Sequence, residues 1–250
     1  MVGTEAARAA RGFWSEERRR DALVMVLTLV TGSTDAIGLI RLGGVFTSVM
    51  TGNMVFLGMA AAERSGSIAL HTGVAFVAYV LGSFVGARVA GHAPADETHP
   101  WPTSIVRALG VELGVLLVFA LWWELVHGAP SSDTTYLLLG LNAMALGIQS
   151  AAVLRFGIHG LSTTYLTGTL TQFVAGFTKR GQPLQVRSGL ILLMLIVGAG
   201  LGALCALDAP LAAPFVPVGA LVVVTFGAWT VFPRERGAQV RGPGGRCGPG

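Results

Sequence analysis

The stretch of sequence that decides the fold is residues 23–62, LVMVLTLVTGSTDAIGLIRLGGVFTSVMTGNMVFLGMAAA. Its only charged residues are Asp35 and Arg41. One crossing of the hydrocarbon core of a bilayer needs about 20 helical residues, because each residue advances a helix by about 1.5 Å. The stretch is therefore long enough for two membrane helices. The sequence Arg41-Leu-Gly-Gly44 predicts the turn between them.

The composition of the whole chain agrees with a membrane location. The 250 residues are 52% hydrophobic and 12% charged, and the mean hydropathy is +0.66. Soluble proteins carry about 25% charged residues, so this chain lacks the charge to cover a water-soluble globule. The net charge of +4 does not indicate nucleic-acid binding. The arginines lie at the chain ends and between apolar runs, where the positive-inside rule places them.

Further apolar segments follow at regular intervals along the chain. They cover about 68–91, 104–126, 136–154, 161–177, 188–207 and 211–232. With the first two, they predict an all-α, polytopic transmembrane bundle of about eight helices, with six or seven as alternatives. A basic arm, 1–20, and a disordered Gly-, Pro- and Arg-rich tail, 233–250, would then both be cytoplasmic.

Two connections do not fit eight crossings. Residues 127–134 would be cytoplasmic but contain no Lys or Arg. The connection from Arg88 to Arg107 would be external and yet contains both of these arginines. The positive-inside rule predicts the opposite distribution of charge.

The sequence also contains an internal similarity. VFTSVMTGN (45–53) aligns with LSTTYLTGT (161–169) at an offset of 116 residues. At the same offset Gly82 and Gly86 align with Gly198 and Gly202, and with one gap GSTDA (32–36) aligns with GIQSA (147–151). We therefore predict two tandem pseudo-symmetric repeats, 21–127 and 135–232. An even number of crossings per repeat would give halves of equal orientation, and an odd number would give inverted halves.

Two longer blocks carry a family resemblance. GSTDAIGLIRLGGVFTSVMTGNMVFLG (32–58) and GIQSAAVLRFGIHGLSTTYLTGTLTQFVAG (147–176) resemble the YoaK-like family of bacterial membrane proteins, a family of unknown function. The resemblance extends over about residues 20–232. It implies a multi-pass protein of the bacterial inner membrane. It implies no activity, and it supplies no catalytic residues.

Asp35 is the most informative single residue. It precedes the Arg41 turn by about six residues, which places it roughly 9 Å inside the membrane helix. Ionisable groups at such depth are costly and usually face a cavity or a partner. The run Gly32–Asp35 predicts a helix break that would open a pocket there. The structural alternative is an Asp35–Arg41 ion pair near the interface.

Other polar residues fall near the same predicted depth. Thr51 and Asn53 follow the turn by about eight residues, or roughly 12 Å. The second half has no carboxylate at the matching places, which are occupied by Gln149, Ser150, Thr167, Thr169 and Gln172. Together with Asp35, which is expected to bind a proton, a cation or a cationic group, these residues form the predicted substrate-binding site. Small polar residues also serve helix packing, which is the alternative.

The remaining motifs are structural expectations. Small residues let membrane helices approach closely, and we assign this role to Gly52, Gly82, Gly86, Gly168, Gly198 and Gly202. Glu112 is expected to form an ion pair with Arg88 or Arg107, and a proton relay is the alternative. No cofactor or metal site is predicted, because the two cysteines form no CxxC pair. The loop residues His92, Asp96, Glu97 and His99 are expected to be solvated.

These features favour a secondary transporter or permease for a small solute or ion. The expected mechanism is alternating access around a polar pocket at the repeat interface. A non-transporting membrane scaffold or assembly partner is the alternative. An intramembrane enzyme is disfavoured, because the helices offer no nucleophile–base pair or metal cluster. The expected partners are the lipid bilayer and the solute, with no nucleic acid, and a homo-oligomer is left open.

Overall fold

The computed structural model describes residues 2–91, 101–155, 166–178 and 186–231, and it describes side chains from Arg18 onward. In these ranges the regular structure is helical throughout, which confirms the all-α prediction. The eight α-helices are α1 (Val2–Arg41), α2 (Met50–Glu63), α3 (Gly66–Ala90), α4 (Thr103–Leu125), α5 (Ser132–Leu154), α6 (Leu166–Thr178), α7 (Val186–Asp208) and α8 (Phe215–Val231). A short 3₁₀ turn, Pro210–Ala212, precedes α8.

Six of these helices are long and apolar enough to cross a bilayer. They are Arg18–Arg41 of α1, then α3, α4, α5 and α7, and finally Pro210–Thr230 around α8, with lengths of 21 to 25 residues. By contrast, α2 has 14 residues and α6 has 13. At 1.5 Å per residue these two helices are about 20 Å long, shorter than the roughly 30 Å hydrocarbon core. Among the described residues, six helices are therefore long enough to cross, which is the lowest of the predicted numbers of crossings.

Two close parallel helix crossings form the centre of the bundle. In the first, α3 packs on α5, with Gly82 against Met144 and Gly86 against Ile148. In the second, α1 packs on α7. There Gly198 lies against Leu29, and Gly202, about one helical turn further along, lies against Ser33. Outside this centre α4 packs on α5, α8 packs on α1, and α4 and α8 contact each other.

Contacts between helix ends define two ends of the bundle. At one end Arg41 Nε donates to the Ala206 carbonyl of α7 at 2.9 Å, and Trp123 Nε1 of α4 donates to the Pro210 carbonyl at 2.8 Å. We call this the Arg41 end. Helices α1, α4 and α7 end there, and α8 begins there.

The starts of α3 and α5 also lie at the Arg41 end. The His71 ring of α3 lies beside Gly43 and contacts the Tyr136 ring of α5, with centroids 4.5 Å apart. At the opposite end, the Asp21 end, an ion pair of 3.3 Å joins Asp21 of α1 to Arg187 of α7. A side-chain contact therefore joins α3 to α5 at the Arg41 end, and a different one joins α1 to α7 at the Asp21 end.

The chain after α1 turns back into the bundle. Gly43 and Gly44 both have positive φ, 94° and 74°, which glycine adopts without the steric cost of a Cβ. Residues 45–49 then extend inward until Thr47 and Ser48 reach Asp35. Helix α2 starts at this depth and returns to the Arg41 end, where α3 begins. The chain from Gly43 to the end of α2 therefore enters and leaves the bundle at the same end.

The predicted break at Gly32–Asp35 is wrong, because α1 is continuous through it. The hydroxyls of Ser33 and Thr34 both donate to the Val30 carbonyl of their own helix, so they do not cap a new one. Gly32 serves a close approach instead. A Cβ built on it would lie 2.2 Å from the Leu195 carbonyl oxygen of α7.

Candidate functional site

The Asp35 carboxylate holds the segment that leads into α2. Its Oδ1 accepts hydrogen bonds from the Thr47 amide at 2.8 Å, the Thr47 hydroxyl at 2.9 Å and the Ser48 amide at 2.8 Å. Its Oδ2 accepts a hydrogen bond from the Ser48 hydroxyl. Asp35 is 7% exposed. These donors lie just before a helix N-terminus, where negative charge is favoured. The alternative pairing of Asp35 with Arg41 is wrong, since Arg41 turns away to α7.

Asn53 secures the same segment from the other side. Its Oδ1 accepts from the Phe46 amide at 3.0 Å, and its Nδ2 donates to the Phe46 carbonyl at 2.6 Å. The side chain is fully buried. Non-helical backbone inside a bilayer must be satisfied by the protein itself. Asp35 and Asn53 together supply hydrogen-bond partners for the backbone of residues 46–48. The structure thus places these two predicted site residues on the same segment.

A second group of polar contacts joins α1 to α5 at the middle of the bundle. Gln149 Nε2 donates to the Leu27 carbonyl at 3.2 Å and to the Thr31 hydroxyl at 2.9 Å. Further along α5, Asn142 Nδ2 approaches the Thr34 carbonyl at 3.5 Å, a long contact. Asn142 and Gln149 are fully buried. Sequence reasoning identified Gln149 and missed Asn142, which no repeat match or motif marked.

The other predicted site residues are divided between interior and surface. Thr169 is buried in α6, and Ser150 is buried in α5, where its hydroxyl donates to the Leu146 carbonyl of the same helix. Thr51, Thr167 and Gln172 are exposed. Gly52 lies against the Phe46 ring, 3.2 Å from a Cβ built on it, and Gly168 lies near the start of α6.

Glu112 occupies an unusual position in the middle of α4. It is 0% exposed, and neither carboxyl oxygen has a hydrogen-bond partner among the residues that the structure describes. The predicted ion pair with Arg88 or Arg107 is wrong. Both arginines are exposed, and Arg88 lies over the Phe84 ring of its own helix, 5.5 Å from the centroid. Arg107 precedes Glu112 by five residues, which places it on another face of α4.

The described residues contain no group of three or more side chains suited to a metal ion. The loop residues His92, Asp96, Glu97 and His99 lie outside the described ranges. A cleft of about 550 Å³ between α3 and α5 is lined almost wholly by apolar side chains and includes none of the predicted site residues. Its lining is suited to lipid rather than to a polar solute.

Comparison with known proteins places the chain in a family. The family described as a protein of unknown function, DUF1275, matches residues 23–227. UPF0700 transmembrane protein YoaK of Bacillus subtilis (strain 168) is 33% identical over 161 residues, which are 64% of this chain and 68% of that protein. No solved structure matches this chain. The six apolar helices and the transmembrane relative identify a multi-pass membrane protein. The family match extends over most of the chain, and it confirms the resemblance given by the two sequence blocks: the protein belongs to the DUF1275 family.

Proposed function

We propose that the protein is a secondary transporter or permease for a small solute or ion. The observation that carries this proposal is the pair of half-length helices. The segment before α2 enters from the Arg41 end and reaches Asp35, and α2 begins at that depth. Helix α6 has buried Thr169 in its first turn, and its Phe173 packs on Gly189 near the Asp21 end. Interrupted helices with inward N-termini are a recurring way to build solute sites near the midplane.

We further propose that the two halves are inverted repeats. Equivalent contacts recur at the sequence offset, which is 116 residues from α3 to α7 and 115 from α1 to α5. Gly82 against Met144 corresponds to Gly198 against Leu29. The contact of His71 with Tyr136 corresponds to the ion pair of Arg187 with Asp21. Three crossings and one half-helix per repeat make an odd number, which requires inverted halves.

The six-crossing topology also removes both conflicts with the positive-inside rule. The connection 126–131 lies at the Arg41 end, and the connection from Arg88 to Arg107 joins helix ends at the Asp21 end. Every Lys and Arg except Arg41 and Arg64 belongs to a segment that flanks the Asp21 end. We propose that this end is cytoplasmic, together with both termini, in the bacterial inner membrane.

Thiol labelling in intact cells tests this topology. In a background with Cys205 and Cys247 replaced by Ser, we expect a membrane-impermeant maleimide to label Ser131→Cys fully. Thr103→Cys should react only after the cells are permeabilised. Both positions are exposed at helix starts, so they differ only in the end of the bundle at which they lie. Labelling of Thr103→Cys in intact cells would favour the eight-crossing topology.

The proposed pocket is centred on the α1–α5 contact. Among the predicted site residues, Asp35, Asn53 and Gln149 have buried side chains that bond outside their own helices, and Asn142 joins them. These side chains are closed to solvent, so the conformation is occluded. Transport requires the segment 45–49 to release Asp35, which can then exchange the donors of Thr47 and Ser48 for a cation or a donor group of the solute. The exposed Thr51, Thr167 and Gln172 would contribute only in another conformation.

Cysteine accessibility tests alternating access without knowledge of the solute. In the same Cys-free background, we expect Asn142→Cys in proteoliposomes to react with a charged methanethiosulfonate added on either side. Each conformation should open the centre to one side. Ala75→Cys is the matched control, because Ala75 is equally buried but lies in the apolar core between α3 and its neighbours. It should remain unlabelled.

One observation favours the scaffold alternative. Asp35, Asn53 and Gln149 all bond to backbone groups of the protein, as expected of residues that stabilise packing. A scaffold needs no second conformation. If Asn142→Cys is as unreactive as Ala75→Cys from both sides, the transport proposal is wrong and this alternative stands.

A further inference from the structure

The carboxyl groups of Asp35 and Glu112, which lie well inside membrane-length helices, have opposite surroundings. Asp35 accepts four hydrogen bonds from Thr47 and Ser48, and it lies at the entry to a helix N-terminus. Glu112 is 0% exposed and accepts no hydrogen bond from the described part of the chain. The four donors stabilise the ionised form of Asp35. Nothing among the described residues does the same for Glu112.

We propose that Glu112 is the residue at which the protein takes up and releases a proton. An ionised carboxylate without a donor or counter-charge is very costly in a medium of low polarity, so the carboxyl group carries a proton in the occluded conformation. Release to water, R–COOH to R–COO⁻ with the proton on a water molecule, requires a conformation in which water reaches α4. This inference deepens the proposed function and rests on it, because it names the coupling ion.

No ionisable group on the packed helices competes for this role. Helix α4 packs on α3, α5 and α8. Between Phe215 and Val231, α8 has no ionisable side chain. The ionisable side chains of α3, α4 and α5 lie mostly near the helix ends, and none of them bonds to either oxygen of Glu112. They are His71, Tyr79 and Arg88 of α3, Arg107 and Glu124 of α4, and Asp133, Tyr136 and Arg155 in or beside α5.

The position of Glu112 fits a proton site at a moving interface. It lies about nine residues from the start of α4, or roughly 13 Å, near the centre of the span. Its neighbours one turn away, Ala108 and Leu116, belong to the apolar cluster shared by α1, α4, α5 and α8. Helix α8 is the counterpart of α4 in the second half, and it has no carboxyl side chain between Phe215 and Val231. The carboxyl group is therefore present in one half only, as expected of a single coupling site.

Infrared spectroscopy of the full chain in liposomes tests the proposal. The difference spectrum of wild type minus Glu112→Gln should contain the C=O stretch of a protonated carboxylic acid. After transfer to D₂O this band should shift to lower frequency, because a proton that the protein takes up and releases must exchange with solvent. Glu112→Gln keeps the side-chain volume. Glu112→Met is a second variant in case the amide perturbs the fold, and melting curves show whether each variant folds.

Two results would overturn the proposal. One is a difference spectrum with ionised carboxylate bands instead of the acid band. The other is an acid band that does not shift in D₂O, which indicates a sealed structural acid. Asp35→Asn is the matched control, and it should remove ionised carboxylate bands. Since the spectrum requires no solute, its failure is distinct from failure of the transport proposal, which the Asn142→Cys labelling decides.

Discussion

Replacing Gly82 by Ala is expected to destabilise the protein by about 3 kcal/mol or more, a large effect for one methyl group. A Cβ at this position would lie 2.1 Å from the carbonyl oxygen of Met144 and 2.8 Å from its carbonyl carbon. Both are backbone atoms, so no rotamer change relieves the overlap. Helices α3 and α5 must separate, and this loses the packing that holds membrane helices together.

The measurement is unfolding of the purified protein in mixed micelles as the fraction of denaturing detergent rises. Gly73→Ala is the control on the same helix, because a Cβ there has no atom within 4 Å. It should be neutral or stabilising by about 0.5–1 kcal/mol, as expected for Gly to Ala in a helix. Gly198→Ala and Gly200→Ala repeat the comparison on α7. Equal stability of Gly82→Ala and Gly73→Ala would contradict the close crossing.

The helix crossings could be predicted from sequence because their signal is local. Gly82 and Gly86 are spaced by four residues in an apolar helix, and this spacing alone indicates a face for close packing. The limits of α3, α4, α5 and α7 follow from the length of apolar runs. The same reasoning located the turn at Arg41, where α1 ends.

The half-helices could not be predicted in this way. Residues 23–62 are long enough for two crossings, and they are equally compatible with one crossing and a segment that turns back. The difference depends on side chains that satisfy non-helical backbone, which are the carboxylate of Asp35 for residues 47–48 and the amide of Asn53 for Phe46. Apolar length contains no information about these contacts. The positive charges of Arg88 and Arg107 were the sequence feature that conflicted with eight crossings.

The sequence predicted only those residues of the candidate site that stand out in its local pattern. Asp35, Asn53 and Gln149 stand out as polar residues in apolar runs with matches in the other half. Asn142 has no such match, since Leu27 occupies the corresponding place in α1. Whether Glu112 pairs with Arg88 or Arg107 depends on where those two side chains point. Helical spacing constrains these directions but does not determine them.

Replacing Asp35 by Leu is expected to lower the free energy of unfolding by about 3–5 kcal/mol, as for removal of one partner from a buried charged contact. The change leaves the amides of Thr47 and Ser48 without acceptors in a buried place, and each orphaned group costs about 1–3 kcal/mol. Asp35→Asn should fall between Leu and wild type, because its amide retains one oxygen acceptor. The segment 45–49 would then no longer be held at the depth where α2 begins.

Hydrogen–deuterium exchange locates this loss. The amides of Phe46, Thr47 and Ser48 should exchange far faster in Asp35→Leu, whereas those in the middle of α5 should not change. Ser150→Leu is the control at the corresponding place in the second half. The Ser150 hydroxyl bonds only to its own helix among the contacts described, so its removal orphans no amide. Faster exchange confined to 46–48 would show that Asp35 controls the entry to α2, which a gate at this position requires. Unchanged exchange would mean that the segment is held without it, and Asp35 could then have no part in opening the pocket.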